Sequence, residues 1–132
     1  MIYEMCQKNL FQHFKEEVNH DEVVMELRKI LTAHIFPAII FLHENNIVHG
    51  DIKADNIMFS NRHWKLIDFG VATHNMDVSR GGSYIPPEHR RAFELKQEAR
   101  ATVKVDSFSL GVMMMEIVST ASICTCAILS FN

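Results

Sequence analysis

Asp51, Lys53, Asn56 and Asp68 have the types and spacing for one chemistry, the transfer of a phosphoryl group to a hydroxyl. Such an attack needs a carboxylate to orient the hydroxyl and accept its proton, and Asp51 can do that. Lys53 can neutralise charge on the transferring phosphate. Asn56 and Asp68 add oxygens, the hard ligands that magnesium prefers. The run from Asp51 to Asn56 alone also suits an ordinary polar turn, where Asp and Asn are common. Its surroundings favour the chemical reading. The loop from His49 to Asn56 lies between an apolar helix-like run and an apolar strand-like run, and Asp68-Phe69-Gly70 follows behind that strand.

The elements that must hold these groups can be read from periodicity. Asn9 to Glu17 suggests a short helix with Leu10, Phe11 and Phe14 on one face. Asp21 can cap a second helix. In that helix Val23, Val24, Leu27, Ile30, Leu31, Ala38, Ile39 and Leu42 recur at spacings of three and four. It should end near Glu44-Asn45-Asn46 and kink or break at Pro37, which lacks a backbone donor. Ile47-Val48, Ile57 to Phe59 and Trp64 to Ile67 read as short strands, the last two joined by a turn over Ser60 to His63. Gly70 to Gly82 reads as an exposed loop and Phe93 to Val103 as surface. Pro86-Pro87 should open a short helix to about Ala92. Asp106 to Val118 reads as a buried helix, with Met113, Met114 and Met115 as core packing. The fold class expected is α+β, mainly α.

The 132 residues suffice for one modest domain with a core. A hydrophobic fraction of 48% and a charged fraction of 22% are globular values. Thirteen basic and sixteen acidic residues give a net charge of −3, which does not suit a nucleic-acid partner. Cys6, Cys124 and Cys126 make no disulfide framework, so a reducing, intracellular and cytoplasmic setting is expected. The eight histidines show no paired metal spacing, and Cys124 and Cys126 would be half a metal site with no second pair. Phe108 to Leu129 is apolar enough to raise a membrane span, but Glu116 lies within it, so no membrane partner is expected. The first residues read as the end of a buried strand, and Ala121 to Asn132 is apolar with no stop signal. Both ends are therefore expected to be truncations, with 121–132 either native helix or a non-native, read-through tail.

The order of motifs resembles the C-terminal lobe of a eukaryotic-type protein kinase, from the hinge to the central helix. Ile2-Tyr3-Glu4-Met5-Cys6 resembles the hinge, Ile47-Val48-His49 the run into the catalytic loop, and Asp68-Phe69-Gly70 the second metal motif. Pro86-Pro87-Glu88 resembles the close of the activation segment, and Asp106-Ser107-Phe108-Ser109-Leu110-Gly111 the start of the central helix. The resemblance implies a partial kinase domain over 1–132, with ATP and Mg2+ as cofactors and a protein as substrate. It implies Asp51 and Lys53 as catalytic residues, and Asn56 and Asp68 as metal ligands. Glu4, Cys6, Lys53, Asn56, Met58 and Asp68 would contact the nucleotide, with Met58 beneath the adenine. It also implies that Asp106 anchors the catalytic-loop backbone and that His49 packs in the core beside Phe69. Lys53 inclines the substrate class to serine and threonine.

Three departures bear on activity. Gly50 stands where the family has an arginine that pairs with a phosphorylated activation segment. Phosphomimetic changes at Thr73, Ser79 or Ser83 are therefore not expected to switch activity strongly. The threonine that in the family bridges the catalytic aspartate and lysine is absent before Tyr84, with Gly81 and Gly82 there instead. No glycine-rich phosphate loop, and no strand lysine with its helix glutamate, precedes the hinge. Weak or absent transfer by this chain follows as an expectation. The rival reading is a catalytically inactive, kinase-like binding module.

Overall fold

The computed structural model describes residues 8–15 and 19–130, with side chains described as far as Ala121. Tyr3, Glu4 and Cys6, and with them the expected hinge strand, lie outside the described residues, as do the side chains of Cys124 and Cys126. The architecture is mainly helical with two small antiparallel sheets. Strand β1 (Lys8–Asn9) leads into helix α1 (Leu10–Lys15). Leu10 and Phe14 of α1 are buried, whereas Phe11 points outward and is 53% exposed. The spacing of three apolar residues fixed their angles on the helix but not which of them met a neighbour.

Helix α2 (His20–Ile30) is capped by Asn19, not by Asp21. Asn19 has extended backbone, and its Oδ1 accepts from the N–H groups of Asp21 and Glu22 at 3.1 and 3.2 Å. The expected long helix continues, but in three parts. A π-helical turn (Leu31–Ile35) separates α2 from α3 (Phe36–Glu44). Pro37 sits in the first turn of α3, where its missing donor and its ring are best tolerated, and the wider turn lies just before it. Val23, Leu27, Ile30, Leu31, Ile35 and Ile39 form the buried stripe, while Val24 is 39% exposed. Asn46, at φ 58°, closes the end of α3.

Strand β2 (Ile47–Val48) leaves α3 and pairs with β5 (Thr73–His74). Strands β3 (Ile57–Ser60) and β4 (His63–Leu66) form a hairpin on a two-residue turn, and β1 adds to the free side of β3. Asn61 and Arg62 both have positive φ, the twist that a tight hairpin requires. Helix α4 (Pro87–Glu94) follows the two prolines. The stretch after it is not wholly surface, because Ala99 and Ala101 are buried, and Met76 and Ser79 donate to their carbonyls.

The last helix, α5 (Val103–Ser130), runs through the core. Met113 is fully buried and Ile117 nearly so, in one cluster with Leu10, Leu27, Ile52 and Ile57. Met113 packs as expected, but Met114 and Met115 are 36% and 70% exposed. No helix among the described residues is long and apolar enough to cross a membrane.

Candidate active site

The loop between β2 and β3 has almost no regular structure, so its backbone donors need partners from elsewhere. Asp106, fully buried in the first turn of α5, supplies them. Its Oδ1 accepts from Gly50 N–H at 2.9 Å, and its Oδ2 accepts from His49 N–H at 2.9 Å. His43, on the last turn of α3, brings Nε2 to the same Oδ2 at 2.8 Å. One carboxylate thus ties α3, the loop and α5 together. His49 adds a second tie. Its Nε2–H donates to the Ile67 carbonyl at 2.9 Å, which leaves Nδ1 as acceptor for Asp51 N–H at 3.2 Å. That pair of bonds selects one neutral tautomer. The buried His49 ring meets Phe69 edge-on, with centroids 4.9 Å apart.

With the backbone fixed, Asp51 projects into a half-buried setting. Its Oδ1 accepts from Ser83 N–H at 2.8 Å, and its Oδ2 accepts from Asn56 Nδ2 at 3.3 Å. Lys53 Nζ lies 3.8 Å from Oδ2 and donates to Ser83 Oγ at 2.9 Å. Burial pushes the Asp51 carboxyl up, but the Ser83 N–H and hydroxyl, the Lys53 ammonium and Asn56 together outweigh it. The carboxyl is held below its ordinary value near 3.8 and is ionised at neutral pH.

Asn56 ends a 3-10 turn (Ala54–Asn56), and its backbone carbonyl accepts from Ile67 N–H at 2.9 Å. This brings the residue before Asp68 against Asn56. The Asn56 amide nitrogen donates to Asp51, so its carboxamide oxygen remains an acceptor. Asp68 is exposed, sits at φ 60°, and uses Oδ1 to accept from Gly70 N–H at 3.1 Å. Among the described residues no group of three or more His, Cys, Asp or Glu could hold a metal. An all-oxygen pair suits magnesium, which keeps several waters and takes further oxygens from phosphates rather than needing a protein cage.

The structure thus brings Asp51, Lys53 and Asn56 together and sets Asp68 at the exit of β4, one residue after the Ile67 that bonds to Asn56. Met58 is partly buried in β3, opposite Asn9 and Lys65. Ser83 corrects the sequence reading. The gap assigned to the missing threonine is filled, because Ser83 bridges Asp51 and Lys53. A hydroxyl directly before Tyr84 was the signal for it, displaced from the position where the family pattern placed it. A glutamate at 83 would set a second negative charge against Asp51, so indifference to phosphomimetic change is retained for Thr73 and Ser79 only. Tyr84 in turn donates to Glu116 Oε2 on α5 at 2.5 Å. Burial, the bond to Glu116 and the nearby carboxylates all push the Tyr84 phenol well above its ordinary value of 10.0.

Comparison with known proteins identifies the family. The sequence model of the protein kinase domain matches residues 1–127. The chain is 34% identical over 120 residues to a probable L-type lectin-domain containing receptor kinase S.5 of Arabidopsis thaliana, covering 80% of this chain and 18% of that protein. It is 31% identical over 120 residues to the probable serine/threonine-protein kinase yakA of Dictyostelium discoideum, covering 89% and 8%. It is 36% identical over 110 residues to the serine/threonine-protein kinase SCH9 of Candida albicans, covering 81% and 14%. The chain spans less than a fifth of the length of each of these relatives. With nearly its whole length matched to one domain, the chain belongs to the protein kinase family.

Proposed function

We propose that the chain carries the phosphoryl-transfer loop of a serine/threonine protein kinase, in the part of the domain that corresponds to the C-terminal lobe. The reaction moves the γ-phosphoryl group of ATP to a protein hydroxyl. The observation that carries the reading is the joint placement of Asp51, Lys53 and Asn56 on a loop whose backbone is pinned by Asp106, with Ser83 reaching in from the segment before α4 to bridge Asp51 and Lys53. Asp51 orients the substrate hydroxyl and takes its proton, and its depressed pKa keeps it ionised for that role. Lys53 offsets charge on the phosphate. Asn56 and Asp68 would hold magnesium, which would supply neutralisation of phosphate charge. Lys53 beside Asp51 favours serine and threonine hydroxyls. Glu4, Cys6 and Met58 are proposed as nucleotide contacts.

The 132 residues contain neither a glycine-rich phosphate loop nor a strand lysine with a glutamate partner. Transfer by this chain alone is therefore proposed to be weak. The test is phosphate transfer from radiolabelled ATP with magnesium to serine-, threonine- and tyrosine-containing peptides. Transfer to serine or threonine that Asp51→Asn abolishes supports the reading. Transfer that survives Asp51→Asn, or that falls only on tyrosine, overturns it. No transfer, with protein-partner binding retained, favours the kinase-like binding module.

A further inference from the structure

Asp51 receives the Ser83 N–H from a segment with no regular structure, so something else must fix the approach. A β-carbon built on Gly82 would lie 2.2 Å from the Gly50 carbonyl oxygen. That neighbour is backbone and cannot swing aside. Gly50 sits at φ +85°, where a side chain is strained, and a β-carbon there would meet the Val71 carbonyl oxygen at 3.0 Å. Position 50 is thus closed on one side by Val71 and on the other by Gly82. The seam bounded by Gly50, Gly82, Tyr84, Pro86 and Val105 leaves a cavity of about 10 Å³, room for one water at most. One residue further on, Tyr84 is tied to Glu116. The run 82–84 is therefore held at both ends, while Gly81 turns into open space at φ +87°.

We propose that Gly50 and Gly82 form a backbone lock, a pair of positioning residues that seats this segment on the Asp51 loop and sets the Ser83 N–H on Asp51 Oδ1 without a phosphate. An arginine at position 50 would hold such a segment through a phosphorylated side chain. Here the two backbones meet directly, and any β-carbon at 82 keeps them apart. The lock is a matter of geometry, and its catalytic consequence rests on the role proposed above for Asp51.

The experiment is amide hydrogen exchange by NMR on the 132-residue chain, which needs neither nucleotide nor turnover. Ser83 is exposed, so protection of its amide reports the bond to Asp51. Wild-type protection is expected, with a loss on the order of tenfold or more in Gly82→Ala, the scale of one hydrogen bond to a charged acceptor. The amides of Leu27 and Ile30 in α2 should keep their protection. Ser83→Ala retains the N–H and should stay protected, and so should Gly111→Ala, whose β-carbon meets nothing within 4 Å. Exchange of the wild-type Ser83 amide at the unstructured-peptide rate overturns the lock, as does unchanged protection in a folded Gly82→Ala chain. If Gly82→Ala does not fold, the wild-type measurement and Gly50→Ala decide on the same criterion. Neither result depends on transfer, so the lock can fail while the kinase reading stands, and the reverse.

Discussion

Replacing Asp106 with asparagine preserves side-chain volume and changes only what the two terminal atoms can accept. In the native chain Oδ2 accepts from His43 and His49, and Oδ1 accepts from Gly50, at 2.8 to 2.9 Å with no exposure to solvent. The amide oxygen can replace one of these atoms. The amide nitrogen must then face a backbone N–H, leaving two buried donors without acceptors. Each unsatisfied donor costs about 1–3 kcal/mol, and the remaining bonds lose their charge assistance. Breaking a buried charged network by removing one partner costs about 3–5 kcal/mol, so a loss of about 4 kcal/mol is expected for Asp106→Asn. With a urea slope of about 2 kcal/mol/M, the midpoint falls by about 2 M. The assay is equilibrium urea unfolding of both chains, with the slope checked for constancy. His43→Ala should cost less, because its side chain is 20% exposed and only one bond is lost, and the double variant should fall short of the sum. A midpoint shift of less than about 0.5 M for Asp106→Asn would refute the claim that this carboxylate holds the loop.

Ser83→Ala removes the hydroxyl and leaves the N–H, so the Asp51 carboxyl should titrate higher than in wild type by 13C NMR; an unchanged or lower midpoint contradicts the bridge. Because the folded Asp51 carboxyl lies below its unfolded value, its stabilising contribution is present above about pH 4 and is lost as pH falls through the folded value. Asp51→Asn should therefore flatten part of the acid limb of the urea midpoint measured between pH 5 and pH 2. Tyr84 has the opposite sense, since its raised pKa gives a contribution present below about pH 10 and lost as pH rises above it. Tyr84→Phe should cost about 0.5–1.5 kcal/mol at neutral pH and show a weaker alkaline decline in the same assay. Asn19→Ala should lower stability by about 1 kcal/mol, as an N-cap does, and Asp21→Ala by clearly less; equal losses would restore Asp21 as the cap.

The site was legible in the sequence where its parts are tied to short motifs. Asp51, Lys53 and Asn56 lie within six residues, and the carboxylate of Asp106 opens a helix marked by its apolar run. Ser83 was not legible, because its place depends on how closely 82 approaches 50, a contact across more than thirty residues. Helical period gave the buried stripe of α2 and α3 but could not tell which side lacked a neighbour, so Phe11, Val24, Met114 and Met115 were assigned inward and are exposed. Pro37 announced a disturbance, though not that it would be absorbed as a π-helical turn. The cap moved from Asp21 to Asn19 because capping depends on backbone dihedrals, and both residue types serve equally well in sequence.

The stretch of α5 from Asp106 to Glu116 carries the loop anchor at one end, Met113 in the core, and the tether of Tyr84 at the other. Ten residues of helix set the two carboxylates about 15 Å apart along the axis. Inserting or deleting one residue between them would turn one end by about 100° relative to the other. No compensating rotamer could return both Asp106 and Glu116 to their partners. This segment should therefore accept many changes of residue and no change of length, whereas the exposed hairpin turn at Asn61-Arg62 is where added residues would be absorbed.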